Sequence, residues 1–178
     1  MGGSRIVDRV AAALREVTPD LLLVANHDDA ARWLQGVPVI ADAIPGAGGL
    51  SGVHAALTYA RRAALVVAWD MPFVSPALLR ELWRRGAEAR AEACYVESAS
   101  PVRMEPFCAY YALECLPALD RAVRAGGFGG ARFARSLAHV AWIARAESAA
   151  FGDPDRMLVS VNSADDLARA EAISAGAI

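Results

Sequence analysis

Short apolar runs alternate along this chain with longer stretches of helical spacing, and this alternation limits the possible folds more than any other feature. Residues 21–25 and 64–69 are continuous apolar runs, typical of strands buried on both faces, and the second is the clearest of them. Residues 6–17, 50–62 and 76–85 are predicted to be helices. Strands that alternate with helices predict an α/β sandwich with a mostly parallel sheet, whose strands end together at the edge where ligands bind.

Weaker signals predict further elements, namely strands at residues 37–40, 93–96, 107–110 and 158–161 and a helix at residues 113–125. Pro38 places the strand at residues 37–40 near an edge of the sheet, because proline cannot donate to a strand ladder. Ser163 then opens a C-terminal helix with the pattern of a capping box. The whole chain is therefore predicted to be built from strand and helix units.

The absence of lysine excludes several enzyme classes. All 18 basic residues are arginine. A P-loop, a Schiff-base enzyme and a protein kinase each require a lysine, so the chain as it stands belongs to none of these classes. A charged fraction of 21% and a net charge of -2 also argue against a disordered tail or a nucleic-acid binder.

The length of the chain and its scattered cysteines limit the number of domains and the roles open to the thiols. The 178 residues fit one domain, over residues 1–178. No apolar run is long enough to span a bilayer and the N-terminus does not resemble a signal peptide, so we expect a cytoplasmic protein without a membrane partner. Cys94, Cys108 and Cys115 form no CxxC pair and are expected to be buried, inert thiols. The three histidines are scattered, which makes a histidine-based metal site improbable.

Polar side chains follow three of the predicted strands. Asn26, Asp42 and Asp70 each come at or soon after the end of such a strand. Because parallel strands end at one edge of a sheet, we expect these three side chains to surround one crevice. An aspartate there can hold Mg²⁺, since this hard cation prefers carboxylate oxygen. Taken singly, Asn26 and Asp42 are better explained as loop residues, and Asp70 is explained equally well as a turn residue.

A glycine-rich segment follows Asp42. Gly46, Gly48, Gly49 and Gly52 do not satisfy the dinucleotide-binding fingerprint, because the third glycine of that pattern is replaced by Ser51. A plain tight turn is one interpretation. The other is a loop whose backbone N–H groups approach a base or a phosphate closely, which glycine permits.

Five segments, in the same order along nearly the whole chain, resemble the molybdenum cofactor guanylyltransferases. Asp70-Met71-Pro72-Phe73 is similar to the DMPF signature of that family. The other matching segments are Asn26, Asp42 with the glycine-rich residues 45–52 including Pro45, residues 105–111, and residues 161–167. The chain departs mildly at Ser51, where the family usually has alanine.

The resemblance implies a reaction and a set of roles. It implies transfer of GMP from GTP to the phosphate of the molybdopterin form of the molybdenum cofactor, with release of pyrophosphate. Molybdoenzymes or their chaperones would be the protein partners. Asp70 would bind Mg²⁺, Asn162 would lie near the pterin or the metal, and the remaining implied residues would bind the nucleotide. These nucleotide-binding residues are Asn26, Asp42, Gly48, Gly49, Leu50 and Gly52, together with Asp70, which is also the implied catalytic residue.

The resemblance also implies an incomplete sheet. The family opens with a strand and a glycine-rich loop that carries a lysine, and we find no counterpart in this sequence. We therefore expect a three-layer, mostly parallel, Rossmann-like nucleotidyltransferase sheet without its usual first strand. We also expect this chain neither to bind GTP tightly nor to transfer GMP. Either a groove separates the strands at residues 21–25 and 64–69, or these two strands collapse together. A related cytidylyltransferase and a non-catalytic pterin-binding or partner-binding protein are the alternative functions.

Overall fold

The structure is a computed structural model that describes residues 3–42, 44, 46–100, 103–126 and 129–176. Its strands are β1 (Leu23–Val24), β2 (Val39–Ile40), β3 (Ala64–Val67), β4 (Ala93–Val96), β5 (Cys108–Tyr111) and β6 (Val140–Ile143). Its α-helices are α1 (Ile6–Arg15), α2 (Gly49–Ala60), α3 (Pro76–Glu88), α4 (Leu116–Arg124), α5 (Gly130–Ala134), α6 (Arg145–Ser148), α7 (Pro154–Met157) and α8 (Ala164–Ser174). No helix in this part of the chain is long and apolar enough to cross a membrane.

The larger sheet has the strand order β3-β5-β4-β6. Strands β4 and β6 are parallel, and β5 is antiparallel to both β3 and β4. Three of these strands therefore run in one direction and β5 runs in the other. The described residues between β4 and β5 form no helix, and a parallel neighbour would need such a crossover. The predicted α/β class with a parallel sheet is confirmed, with one reversed strand inside it.

The sheet has two apolar faces, each covered by helices. On one face α2, α4 and α5 bury a core that includes Tyr95, Tyr111 and Phe133. On the other face α1 and α3 pack over a second core that includes Met71 and Leu82. The expected three-layer sandwich follows from these two cores.

Strands β1 and β2 form a separate parallel pair. Strand β1 is not paired with β3 in the described part of the chain, although α2 packs against both. The lateral collapse of these two strands, one of the two expected outcomes, does not occur. The two strands belong to separate sheets, and the alternative outcome, a groove between them, stays a prediction. Among the described strands, β2 is paired with β1 alone, which agrees with the edge position that Pro38 predicts.

The burial of the strands differs from the expectation. Strand β3, predicted to be the clearest buried strand, is only partly buried along its whole length. Strands β4 and β5, which have weaker sequence signals, are buried at every position. The reason is their place in the sheet, because β4 and β5 each have neighbours on both sides, whereas β3 has a neighbour on one side only.

Two further differences concern the C-terminal third. Strand β6 was not predicted from the sequence, and its alanine- and tryptophan-containing segment has only weak strand character. The predicted strand at residues 158–161 does not form. Instead the Val161 N–H donates to the carbonyl oxygen of Asp70 at 2.9 Å, which ties the segment before α8 to the end of β3.

Candidate functional site

Asn26 and Asp42 are held together at the carboxyl ends of β1 and β2. The Asn26 Nδ2 group donates to Asp42 Oδ2 at 2.8 Å, and the Asp42 backbone N–H donates to Asn26 Oδ1 at 2.9 Å. Parallel pairing of the two strands brings their ends side by side, which is why residues 16 positions apart meet. The pair presents a carboxylate whose orientation is set by a neighbouring amide.

The loop between Asp42 and α2 is closed by Ser51. This fully buried hydroxyl donates to the Ile44 carbonyl oxygen at 2.8 Å and accepts from the Ile44 N–H at 3.0 Å. Gly48 has a φ of 74°, a left-handed conformation that favours glycine, and it lies directly before the first turn of α2. Pro45, part of the motif in this loop, lies outside the described residues. A serine that departs from the family pattern therefore supports the loop.

The start of α2 forms one wall of a small cavity. The cavity has a volume of about 230 Å³ and is lined by residues 47–50, Phe107, Gly129 and Gly130. Gly49 approaches the Phe107 ring so closely that a β-carbon there would lie 2.3 Å from the ring. Gly52 sits close to Asp42, since a β-carbon at Gly52 would lie 3.4 Å from Asp42 Oδ1. The glycine-rich residues thus connect the Asn26–Asp42 pair with the start of β5.

Asp70 follows β3 and is positioned by buried neighbours. Met71 is fully buried in the core under α3, and the Met71 N–H donates to the Ala68 carbonyl oxygen. Burial raises the pKa of the Asp70 carboxyl, partly offset by hydrogen bonds from its own backbone and from the Asn162 side chain. Asp70 Oδ1 is buried and has no hydrogen-bond partner among the residues that the structure describes. A buried acceptor of this kind is costly unless a donor or a cation satisfies it.

Asn162 reaches Asp70 because of the way α8 begins. Ser163 is the N-cap of α8, and its hydroxyl accepts from the Asp166 N–H at 3.1 Å. The predicted cap at Ser163 is confirmed, but the capping box is not complete, because the Asp166 carboxylate accepts at 3.2 Å from the N–H of Asn162 and not from that of Ser163. The Val161 N–H bond to Asp70 fixes the other side of the segment. Asn162, expected near the pterin or the metal, lies beside the Asp70 carboxylate.

The predicted site residues therefore fall into two pairs. Asn26 contacts Asp42, and Asp70 contacts Asn162. No hydrogen bond between the two pairs occurs in the described residues. The start of α2 and Phe107 lie between them, because the Phe107 carbonyl oxygen accepts from the Ala68 N–H at 2.7 Å, two residues before Asp70. The single crevice around Asn26, Asp42 and Asp70 remains a prediction.

Sequence reasoning assigned no role to Glu105 and Phe107. Burial raises the pKa of the Glu105 carboxyl, and the nearby Asp70 carboxylate raises it further, against the hydrogen bond from the Phe107 N–H. Both residues lie just before the reversed strand β5. A pattern of apolar residues does not reveal the direction of a strand, so their approach to Asp70 had no signal in the sequence.

The cysteines are buried as predicted. Cys94, Cys108 and Cys115 are free and buried, and burial raises the pKa of each thiol to about 12. A thiol protonated at neutral pH is a poor nucleophile.

In the described residues, no group of three or more histidine, cysteine or acidic side chains forms a metal cluster. Any cation at this site would therefore depend on a smaller protein ligand set.

Comparison with protein families gives one match that covers most of the chain. Residues 1–142 match the model of the MobA-like NTP transferase domain. This match spans Asn26, Asp42, Asp70 and Glu105.

Individual relatives agree with the family match. A molybdenum cofactor guanylyltransferase of Cereibacter sphaeroides is 35% identical, over 97% of this chain and 84% of that protein. A probable molybdenum cofactor guanylyltransferase of Pelotomaculum thermopropionicum is 30% identical, over 98% of this chain and 82% of that protein. The crystal structure of molybdopterin-guanine dinucleotide biosynthesis protein A from Archaeoglobus fulgidus superposes with a TM-score of 0.81 at 27% identity, covering 98% of this chain and 87% of that chain.

Proposed function

This chain belongs to the family of MobA-like NTP transferase domains, and we propose that it is a guanylyltransferase of molybdenum cofactor biosynthesis. The proposed reaction transfers GMP from GTP to the phosphate of molybdopterin and releases pyrophosphate. The observation that carries the proposal is the buried, unpartnered oxygen of Asp70 beside Asn162, at the end of β3. The two molybdenum cofactor guanylyltransferase relatives support the choice of nucleotide and acceptor.

The residues around Asp70 fit a magnesium ion. In the described residues one buried oxygen of the Asp70 carboxylate accepts no hydrogen bond, and Asn162 lies next to this carboxylate. A carboxylate oxygen and an amide oxygen are therefore both available as metal ligands. Mg²⁺ usually takes one or two carboxylates from a protein and its remaining ligands from water and phosphate. When bound, such an ion would neutralise the charge that develops on the phosphates.

The Asn26–Asp42 pair fits the guanine base. Guanine presents two adjacent N–H donors on its Watson–Crick edge, and a carboxylate is the acceptor that matches both. Cytosine presents one amino group beside acceptor atoms, which a carboxylate would repel. Asn26 holds Asp42 Oδ2 at 2.8 Å and so fixes the direction of the carboxylate. This argument favours GTP over CTP, with the residues at 48–52 shaping the same part of the site.

The chain itself would position the reactants without forming a covalent bond to them. The molybdopterin phosphate oxygen would attack the α-phosphorus of GTP, and the bond to the pyrophosphate oxygen would break. The three buried cysteine thiols, each with a pKa near 12, offer no nucleophile for an enzyme-bound intermediate. Orientation by the two pairs of polar residues, together with electrostatic stabilisation, accounts for the rate in such a mechanism.

The test compares Asp70→Asn with wild-type protein in a GMP-transfer assay that contains molybdopterin, Mg²⁺ and either GTP or CTP. In protein that also carries the opening strand and loop of the family, we expect transfer from GTP and a loss of at least about 100-fold in Asp70→Asn, because the amide cannot replace the charge. Asp165→Asn is the matched control, since Asp165 is exposed in the first turn of α8. Circular dichroism should show that all three proteins are folded.

Three results would contradict the proposal. Equal turnover of wild type and Asp70→Asn would remove Asp70 from the mechanism. Transfer from CTP in preference to GTP would identify the related cytidylyltransferase. Binding of molybdopterin without transfer from either nucleotide would identify a non-catalytic binding protein.

A further inference from the structure

A second carboxylate lies across the end of the β3–β5 ladder from Asp70. The last bond of this ladder runs from the Ala68 N–H to the Phe107 carbonyl oxygen, at 2.7 Å. Asp70 lies two residues beyond Ala68, and Glu105 lies two residues before Phe107. Because β3 and β5 are antiparallel, residues that follow Ala68 lie opposite residues that precede Phe107. Asp70 and Glu105 therefore lie at the same end of the ladder. The Asp70 charge acts on Glu105, which agrees with this placement.

The two carboxylates are poorly compensated. Both side chains are partly buried. Glu105 Oε1 accepts one long bond, 3.3 Å, from the Phe107 N–H. Asp70 Oδ1 accepts none. In the described part of the chain neither carboxylate forms an ion pair, although many surface carboxylates pair with arginine.

Such an arrangement is unfavourable without a positive charge between the two groups. Two like charges in a region of low dielectric repel one another, and desolvation adds to the cost. The buried, unpartnered oxygen of Asp70 independently marks the place where an electropositive ligand is missing. A divalent cation would relieve both costs, since hard cations share carboxylate oxygens.

We propose that Glu105 is a second carboxylate ligand, with Asp70, for the divalent cation of this site. Asn162 contributes an amide on the other side of Asp70. The inference rests on the cation that the proposed transfer requires, and it adds a residue to which the sequence motifs assign no role. It also gives a reason for the placement of Glu105, whose N–H is bonded to the Val96 carbonyl oxygen at 3.2 Å.

The test measures cation binding directly, without any nucleotide. Mn²⁺ is titrated into the full chain, and free Mn²⁺ is followed by electron paramagnetic resonance. We expect one site in the wild type and an affinity lowered about tenfold or more in Glu105→Gln, which keeps the shape but loses the charge. Glu114→Gln, at an exposed glutamate on the same chain, is the matched control and should bind as the wild type does.

Thermal unfolding gives a second readout that a merely structural role would not produce. In EDTA, Glu105→Gln should unfold at a higher temperature than the wild type, because the repulsion with Asp70 is gone. Added Mn²⁺ should raise the unfolding temperature of the wild type and should raise that of Glu105→Gln much less. A lower unfolding temperature of Glu105→Gln in EDTA would contradict the electrostatic basis of the proposal.

The outcomes separate this inference from the proposed function. If Asp70→Asn loses Mn²⁺ and Glu105→Gln binds it normally, the role of Glu105 is wrong and the proposed function stands. If Asp70→Asn also binds Mn²⁺ normally, both are wrong. A wild-type chain that takes up no Mn²⁺ at millimolar concentration likewise overturns the role of Glu105.

Discussion

Gly49 lies against the ring of Phe107, at a distance that leaves no room for a β-carbon. An added β-carbon would lie 2.3 Å from the ring and would collide with several of its atoms. This contact joins the first turn of α2 to the residue before β5 and shapes the cavity of about 230 Å³ between them. Glycine at this position is therefore explained by packing rather than by its backbone conformation.

Gly49→Ala is expected to displace the Phe107 ring and to reduce the stability of the protein by about 1–3 kcal/mol, as overpacking does. Chemical denaturation measures this loss. Gly129→Ala is the control, because Gly129 lines the same cavity, has an ordinary φ of -56° and has open space around it. Replacing Phe107 by leucine in the Gly49→Ala background should restore part of the stability. Equal stability of Gly49→Ala and wild type would show that the ring moves freely.

Asn26→Asp should affect folding, whereas Asp42→Asn should affect the binding of GTP. Asn26→Asp removes the donor of the 2.8 Å bond and places two carboxylates together, so we expect a loss of about 1 kcal/mol in unfolding free energy. Asp42→Asn retains an acceptor for Asn26 and should leave stability nearly unchanged, yet weaken GTP binding because the charge facing the base is gone. Denaturation and calorimetry with GTP measure the two effects. A stable Asn26→Asp variant would indicate that the pair does not form in solution.

The separation of β3 from β1 predicts an alternating pattern of amide exchange in β3. The Ala68 N–H is bonded to β5, and in an antiparallel ladder every second residue points the same way, so Val66 is bonded like Ala68. The N–H groups of Leu65 and Val67 point away from β5. We expect them to exchange with deuterium about 100-fold faster than those of Val66 and Ala68. Nuclear magnetic resonance resolves individual amides, and uniform protection along β3 would show that its second edge is covered.

Glu81 is predicted to stabilise the protein at neutral pH and not in acid. Hydrogen bonds from Arg84 and then Arg85 hold the pKa of its carboxyl below the usual range. Since the folded pKa is lower than the unfolded one, the stabilisation is present above the unfolded pKa and is lost as the pH falls through the folded pKa. Glu81→Gln should lower the free energy of unfolding by about 1 kcal/mol at pH 7 and should leave it almost unchanged near pH 3.

Urea denaturation at a series of pH values measures the effect of Glu81→Gln. Glu88→Gln is the control, because Glu88 is exposed and its ion pair with Arg84 lies at the surface. At pH 7, Glu88→Gln should lower the free energy of unfolding by less than Glu81→Gln does. A cost of Glu81→Gln that persists unchanged in acid would mean that packing rather than charge explains it. Arg85 also donates to the Trp142 carbonyl oxygen, so Glu81→Gln should also weaken the contact between α3 and β6.

Local patterns in the sequence were sufficient for most elements and for half of the candidate site. The helical spacing of residues 6–17 and the Ser75-Pro76 start of α3 correspond to the helices that form. Asn26 and Asp42 were predicted at neighbouring strand ends, and they contact each other. These predictions depend on near-neighbour effects, such as capping and the period of apolar residues, which short segments carry by themselves.

The sequence by itself determined that this chain alternates strands and helices, contains no lysine and carries polar residues at strand ends. Only the tertiary structure decided that β5 is reversed, that β3 is partly exposed, and that Glu105 and Asn162 both approach Asp70. The physical reason is that an apolar strand pattern specifies which face is buried but not which strand lies beside it or in which direction. That choice depends on connections and packing between distant segments, which have no local signal.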